Sequence, residues 1–430
     1  MADFEAAPAD WLTYEEASSL VLGSAQPLPA EEVDASACLG RYLAEDVVAG
    51  ATLPPFANSA MDGYAVRASE LRGAQPPISM PVGGTSLPGA RPLAGVAPAT
   101  AIKIMTGGPL PEGFDTVIRV EHTDREASPG HVVLEVLDDL GKHVRPAGQD
   151  LRAGEPALKR GTLARPAVLG LLVACGRRRV LVRRQPRVGV LSSGDELVDV
   201  SRFDLIESGT GIPDTNRVTL LSALPGEGAL PEDLGIVRDE PDALLEALAS
   251  LPSLDVLITT GGASMGERDL FKRTLAHTGF ELAFWRTSIR PGSPFSFGHL
   301  TGKGGARLPV FGLPGNPGSA FVTFHVFVAP FLRRAAGSLA PNPPRIRAVA
   351  GERFSSPEHL THFYRVRLER NGETDRLACF TTGHQGSGLV SPLAEATGLA
   401  IIPRGVQVVE AGQPVDVILL PGVEVLEAGP

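Results

Sequence analysis

A chain of 430 residues with a formal net charge of −10 is long enough for about three domains, and too acidic overall to present the broad basic surface that nucleic-acid binding requires. Its 49 glycines and 38 prolines stay below the share of roughly a quarter that marks low-complexity chains, so a folded protein rich in turns and β-structure is expected. Three cysteines, Cys38, Cys175 and Cys379, are odd in number and far apart, which predicts a reducing compartment without structural zinc, and the acidic start and short apolar runs predict a soluble, cytoplasmic protein with no membrane partner.

In chain order, Thr13 to Gly23 predicts a first helix, with Thr13 as cap and Glu16 three residues on in capping-box spacing. Beyond Pro27, short apolar runs broken by glycine and proline (Val47-Val48, Tyr64 to Val66, Ala101 to Ile104, Thr116 to Ile118, Val132 to Leu134) predict an extended β domain. Arg177 to Arg179 and Arg183-Arg184 flank Val180 to Val182 and read as solvated strand ends. The apolar segment after Pro166 predicts a helix.

A cleaner alternation follows. Val188 to Leu191, Leu234 to Val237 and Val256 to Ile258 read as strands. Asn216 to Leu224 and a segment opening at Pro241, with Leu244, Leu245, Leu248 and Leu251 on one face, read as helices. Such alternation predicts a parallel, doubly wound sheet with its ligand at the carboxyl ends of the strands. Those ends carry Ser193-Gly194-Asp195-Glu196, Asp239 and the loop Gly261 to Asp269. A hairpin around Lys303 to Gly305 leads to Pro314 to Ser319, then to a helix apolar on almost every side with Pro330 as a kink. After the linker Pro341 to Pro344 the remaining chain alternates strand and turn signals, as a small β barrel would.

The loop Gly261 to Asp269 brings three glycines, one hydroxyl and one carboxylate to a strand end. Gly262-Ala263-Ser264-Met265-Gly266 also fits the G-x-S-x-G elbow of serine hydrolases, although no oxyanion segment or triad partner accompanies it. At Gly315-Asn316-Pro317, Asn316 can cap a helix and leave the N–H groups of Gly318 and Ser319 free for an anion. Nearby, Arg286 and Arg290 with Ser293 supply two permanent cations at a strand end. His359 and His362 read as surface histidines and His325 as a core residue. Carboxylates Glu196, Asp239 and Asp269 beside these anion-holding groups suit Mg2+-assisted chemistry at a phosphoanhydride.

Several stretches then become recognisable together. Pro55-Phe56-Ala57-Asn58-Ser59-Ala60-Met61-Asp62-Gly63-Tyr64-Ala65-Val66, Ile104 to Gly108, Ser193 to Leu197, Asp214-Thr215-Asn216, Gly261 to Asp269 and Gly312 to Ser319 resemble, in order, the motifs of the molybdopterin molybdenumtransferase family, related to the C-terminal domain of gephyrin. The resemblance covers nearly the whole chain. It implies a multidomain α/β plus β fold in an elongated homodimer. Its parts would be a helical portion (1–26 with 144–184), an extended β domain (27–143), an α/β molybdopterin-binding domain (185–338) and a C-terminal β barrel (342–430).

It also implies Mg2+-dependent conversion of adenylylated molybdopterin and molybdate with release of AMP, in a cleft shared between subunits. Asp269, Glu196, Asp239, Arg286 and Arg290 would be catalytic, with Asp269 and Asp239 as metal ligands. Asn58, Ser59, Asp62 and Thr106 would face the cleft from the partner subunit. Ser193, Gly194, Asp195, Asp214, Asn216, Gly261, Gly262, Ser264, Ser293, Pro314, Asn316, Pro317 and Ser319 would line the substrate site. Contacts with the molybdopterin adenylyltransferase and with molybdoenzyme acceptors follow from the same resemblance. The chain departs from the family at Ala57, where Asp is usual, at Arg286 and Arg290, where Lys is usual, and at Ser293 in place of Lys. A paralogue that binds pterin, or serves as a scaffold without turnover, and a hydrolase using Ser264 stay open as alternatives.

Overall fold

The computed structural model describes residues 11–261, 279–301, 305, 307–370 and 376–422, and the backbone of 426–427. Two compact units divide the chain: Met1–Glu31, Gly40–Ala44 and Val182–Pro430 form the first, Glu32–Leu39 and Glu45–Leu181 the second. Helix α1 (Tyr14–Ser24) starts at the expected capping box. The Glu16 N–H donates to Thr13 Oγ1 at 3.2 Å and the Thr13 N–H to Glu16 Oε2 at 2.8 Å, so two donors that a helix start leaves orphaned are satisfied reciprocally. Its buried face (Tyr14, Ala17, Val21) joins the core of the first unit, where the Tyr14 ring lies 5.7 Å from that of Phe327 and 5.2 Å from that of Phe363.

The second unit holds β1 (Asn58–Ser59), β2 (Gly63–Val66), β3 (Ile78–Ser86), β4 (Ala101–Ile104), β5 (Thr116–Arg119), β6 (His131–Leu134), β7 (Val144–Arg145) and α2 (Pro166–Ala174). Five of these strands form one sheet in the order β5-β2-β4-β3-β6, and β1 pairs with β7. Alternation along β2 buries both faces of the sheet. Tyr64 and Val66 join Met80, Ile118 and Val132 on one side, and Ala65 joins Ile102, Ile104 and Val117 on the other.

In the first unit come β8 (Arg187–Ser193), α3 (Thr215–Ala223), β9 (Leu230–Val237), α4 (Pro241–Ala249), β10 (Val256–Thr260), β11 (Phe280–Trp285), β12 (Ile289–Arg290), β13 (Ser296–Thr301) and β14 (Arg307–Leu313). The sheet runs β9-β8-β10-β14-β13-β11. One strand runs against the parallel set, as a hairpin before β14 requires: β13 is antiparallel to both β14 and β11, while the other five share a direction. The connections β11–β13 and β13–β14 are too short for a crossover, which only antiparallel neighbours tolerate. Because β13 alone is reversed, β11 still delivers its carboxyl end to the same edge as β8, β9, β10 and β14. Odd and even residues again separate two cores: Val188, Val190, Ile258, Phe311 and Leu313 face one, and Leu191, Leu257 and Val310 pack with Leu244 and Leu248 of α4 in the other.

The apolar helix is interrupted. After α5 (Pro317–Thr323), residues Phe324–Val328 form a wider turn, in which the Ala329 N–H reaches back five residues to the Phe324 carbonyl, and α6 (Ala329–Ala335) follows. Pro330 has no N–H for a carbonyl four residues earlier, and its ring would clash there. The expected proline kink is taken up as this widened turn.

The C-terminal strands β15 (Arg345–Ala350), β16 (Thr361–Arg370), β17 (Leu377–Thr381), β18 (Gly398–Ile402) and β19 (Pro414–Leu419) close into a five-stranded barrel, since β16 pairs with both β17 and β18. Val366, Leu368, Cys379 and Val417 fill it. Strand β12 pairs parallel with β16, Ile289 opposite Thr361 and Arg290 opposite His362, and so joins the edge of the α/β sheet to the barrel.

Candidate active site at the carboxyl edge of the sheet

Five strand ends converge on one edge. At the end of β8, Ser192 Oγ lies 2.9 Å from Thr260 Oγ1 at the end of β10. The Ser193 hydroxyl donates to the Asp239 carboxylate, and the Asp239 N–H donates to Asp195 Oδ1 at 3.3 Å. Asp195 and Glu196 are exposed and Asp239 half-buried. Gly261 sits at φ +90°, and a Cβ there would lie 2.0 Å from the Ser193 carbonyl, so the β10 exit admits only glycine. Gly262, Ser264 and Asp269 lie outside the described residues.

Asp214 caps α3, accepting the Arg217 N–H at 3.1 Å, and its carboxylate also binds Arg217 Nε at 3.1 Å. Asn216 Nδ2 donates to the Gly315 carbonyl at 2.7 Å and fixes the turn that leaves β14. Both residues therefore shape the edge through protein contacts.

The start of α5 is not the open cradle expected from sequence. Asn316 makes no side-chain cap; the Gly318 N–H donates to the Ser387 carbonyl of the barrel at 2.7 Å, and the Ser319 N–H to the Asn316 carbonyl at 3.0 Å. A Cβ on Gly318 would stand 3.0 Å from that Ser387 oxygen and 3.5 Å from Arg365 Nη1. Pro314 and Ser319 are buried beside this turn.

Arg365 was not visible as a site residue in the sequence. Its side chain is fully buried, with Nη2 donating to the Gly386 carbonyl at 3.1 Å, while Nε and Nη1 find no hydrogen-bond partner among the described residues. No carboxylate among the described residues pairs with it. Burial first, and then the Arg290 charge, hold its pKa below the ordinary arginine value. His362, expected at the surface, is 3% exposed, and burial, then Arg290 and Arg365, push it down to about 3, so the imidazole is neutral. His325 is buried as expected and is likewise pushed down to about 3 by burial and then by Arg333.

The turn from Arg286 to Phe295 completes the edge. The Arg286 N–H donates to the Phe295 carbonyl at 2.9 Å and the Thr287 N–H to the Ser293 carbonyl at 3.0 Å, while Ser293 Oγ donates to the Ile289 carbonyl at 2.7 Å. Ser293 thus braces the turn from within. The buried Arg365 guanidinium, without a carboxylate partner among the described residues, and the exposed Arg290 near it leave a local excess of positive charge that an anion would neutralise.

In the second unit the stretch after Pro55 is equally specific. Asp62 Oδ1 accepts from the Thr106 N–H at 2.6 Å and from Thr106 Oγ1 at 2.7 Å, and these bonds hold its carboxyl below the usual range. The Ser59 N–H donates to the Gly108 carbonyl at 2.9 Å, and Asn58 Oδ1 is buried without a hydrogen-bond partner among the described residues. Ala57, partly buried, packs against the cluster of Ile102, Ile104, Leu110 and Val117. Beneath lies a polar cluster absent from the sequence reading. Buried Asp139 accepts from the Arg119 N–H at 3.1 Å and from Arg119 Nε at 3.0 Å, with His122 Nδ1 at 2.9 Å and His143 Nε2 at 3.0 Å.

Comparison with known proteins covers nearly the whole chain. The family described as MoeA N-terminal region (domain I and II) matches residues 12–176, the probable molybdopterin binding domain matches 189–334, and the MoeA C-terminal region (domain IV) matches 347–420. The chain is 34% identical to the molybdopterin molybdenumtransferase of Haemophilus influenzae over 94% of its own length and 98% of that protein. It is 32% identical to that of Bacillus subtilis over 89% and 88%. A crystal structure of the molybdopterin biosynthesis moeA protein from Pyrococcus horikoshii superposes with a TM-score of 0.80 at 26% identity, covering 95% of this chain and 100% of the other. These matches run through the same strand ends that assemble the edge, and the chain belongs to the molybdopterin molybdenumtransferase (MoeA) family of transferases in molybdenum cofactor biosynthesis.

Proposed function

We propose that the carboxyl edge takes adenylylated molybdopterin and molybdate, and that the reaction inserts molybdenum into the dithiolene with release of AMP. One observation carries this reading: the fully buried Arg365, with two nitrogens unmatched and no carboxylate partner among the described residues, beside Arg290 and the start of α5. An uncompensated buried cation is costly, and a tetrahedral oxyanion supplies the missing charge. Molybdate, as substrate, meets the exposed guanidinium of Arg290, and the buried charge of Arg365 behind it adds attraction without direct contact. Gly261 lets the pterin phosphate approach bare backbone, and Ser193 with Asp239 holds a fixed proton donor and acceptor beside it.

The carboxylates fit Mg2+, which uses one or two of them together with substrate phosphate oxygens. Asp239 and Glu196 offer such oxygens at adjacent strand ends, and Asp269 follows Gly261 in the sequence. When bound, the ion would neutralise charge on the phosphoanhydride. The residues themselves position the substrates: Arg290 meets molybdate, and Arg365 reinforces the positive field behind it.

Asn58, Ser59, Asp62 and Thr106 complete the cleft from the partner of a homodimer, in a cytoplasmic enzyme that contacts the molybdopterin adenylyltransferase and molybdoenzyme acceptors. The assay supplies adenylylated molybdopterin, molybdate and Mg2+, and measures AMP and pterin-bound molybdenum. Asp269→Asn is expected to abolish AMP release at saturating Mg2+. Turnover equal to the unmodified enzyme would remove Asp269 from the site, and substrate binding without either product would leave a pterin-binding protein only.

A further inference from the structure

The chain contains two tryptophans, Trp11 and Trp285, and both adjoin Arg286, where the turn with the two arginines begins. Trp285 ends β11 and is followed at once by Arg286. The guanidinium carbon of Arg286 stands 5.1 Å from the centroid of the Trp11 ring, within the range of a cation–π contact. The segment bearing Trp11 is sewn to the same turn: Leu12 bridges Thr287 in parallel register, and the Ser288 N–H donates to the Leu12 carbonyl at 2.7 Å. Thr13, next in the chain, is the cap of α1, so the position of Trp11 is set by a helix start on one side and by the turn on the other.

Arg286 itself is strained, with φ at +84°, a conformation that a residue with a long side chain adopts only when its surroundings impose it. This φ directs the side chain away from the path a strand residue would take. The indole then receives it. A guanidinium can stack its flat face on a ring while its edges remain available to donate in plane, which an ammonium cannot do.

We propose that Trp11 is a positioning residue of the oxyanion site: it holds the Arg286 guanidinium by its face so that the edges point to an oxyanion of the substrate. This rests on the reading of the carboxyl edge as an oxyanion site. It also gives a physical reason for arginine at position 286, since the aromatic platform comes from the N-terminal segment of the same chain.

The test uses the full-length protein with Trp285→Phe, which leaves Trp11 as the sole indole, and titrates it with molybdate and with inorganic phosphate. Saturable change in Trp11 emission is expected. Trp11→Leu, which keeps bulk and loses the π face, is expected to weaken molybdate binding about 3- to 10-fold, and Trp11→Phe less than about 2-fold. In an Arg286→Lys background the same Trp11→Leu change is expected to cost under about 2-fold, because the stacked partner is gone. Unchanged affinity in Trp11→Leu, or an equal loss in both backgrounds, overturns the role of Trp11 while leaving the oxyanion site standing. Failure of the unmodified protein to bind either anion overturns the site and the role together.

Discussion

Replacing Arg365 by methionine separates binding from stability at the site. The side chain is fully buried, without a carboxylate partner among the described residues, and with Nε and Nη1 unmatched. In the anion-free protein, removing such a charge relieves a desolvation cost, and replacements of buried ions by apolar groups gain about 1–4 kcal/mol. Against this, the Gly386 carbonyl, 3.1 Å from Nη2, loses its donor at a cost of about 1–3 kcal/mol. The two nearly cancel, so Arg365→Met should leave the thermal midpoint without anion within a few degrees of the unmodified protein. Binding is another matter. Truncating one member of a buried charge pair costs about 2–5 kcal/mol, so molybdate affinity should fall by at least about 30-fold. Calorimetric titration with molybdate, paired with thermal melts at zero and at saturating anion, measures both; at one hundred times Kd the unmodified protein gains about 2.7 kcal/mol, and the variant should gain almost none. An affinity unchanged by the substitution, or a large drop in the anion-free midpoint, would refute the argument that Arg365 is held for an anion.

Two further outcomes are expected. His325 and His362 are each pushed down to about 3 in the folded protein, while the unfolded chain protonates near 6.5; the unfolded state therefore binds more protons between these values, and stability falls as pH drops below about 6.5, by up to about 1.4 kcal/mol per unit for each histidine. Melts at pH 7.5 and 5.0 should show this loss, and His325→Gln with His362→Gln should reduce it; an equal loss in the double variant sinks the assignment. Asp139 is held well below the usual carboxylate range, the hydrogen bonds from Arg119 outweighing the opposing effect of burial, which is the largest single influence. Its stabilising contribution is present above the unfolded value near 4 and disappears only as pH falls through the lower folded value. At neutral pH Asp139→Asn should destabilise the second unit by about 3–5 kcal/mol, read as faster hydrogen exchange at Ala60 and Val120, whose N–H groups donate to the His143 carbonyl at 2.8 Å and to the Asp62 carbonyl at 3.1 Å. Unaltered exchange at both amides would show that the cluster does not brace the Asn58 to Asp62 stretch.

Much of this protein is legible without coordinates because its signals are local. Thr13 and Glu16 stand at capping-box spacing, Pro241 opens α4, and glycines follow buried β-branched runs; each depends on a few neighbours along the chain. Short apolar runs between glycines and prolines identify the strands, and the alternation of strands with helices puts the candidate residues at their carboxyl ends. Ser193, Asp239, Gly261 and Pro314 do meet on one edge. The resemblance to a known family came from the same short stretches, and the comparisons bear it out.

Only tertiary structure could decide the rest, because it depends on what covers a face. Arg365, Arg367 and Glu369 alternate with Val366 and Leu368 as on any barrel strand with a solvated outer side. Yet Arg365 is sealed under α5 and Arg367 is not. Nothing local to His362 says that β12 will lie against it, or that burial, aided by two arginines, will keep it neutral. The N–H groups at the start of α5 look free until Ser387, about seventy residues later, supplies a carbonyl. Trp11 and Arg286 are distant in the chain and meet only because Leu12 pairs with Thr287. Residue spacing determines which elements form and which ends carry chemistry; long-range packing determines which charges are buried, which donors are spent, and therefore where an anion can bind.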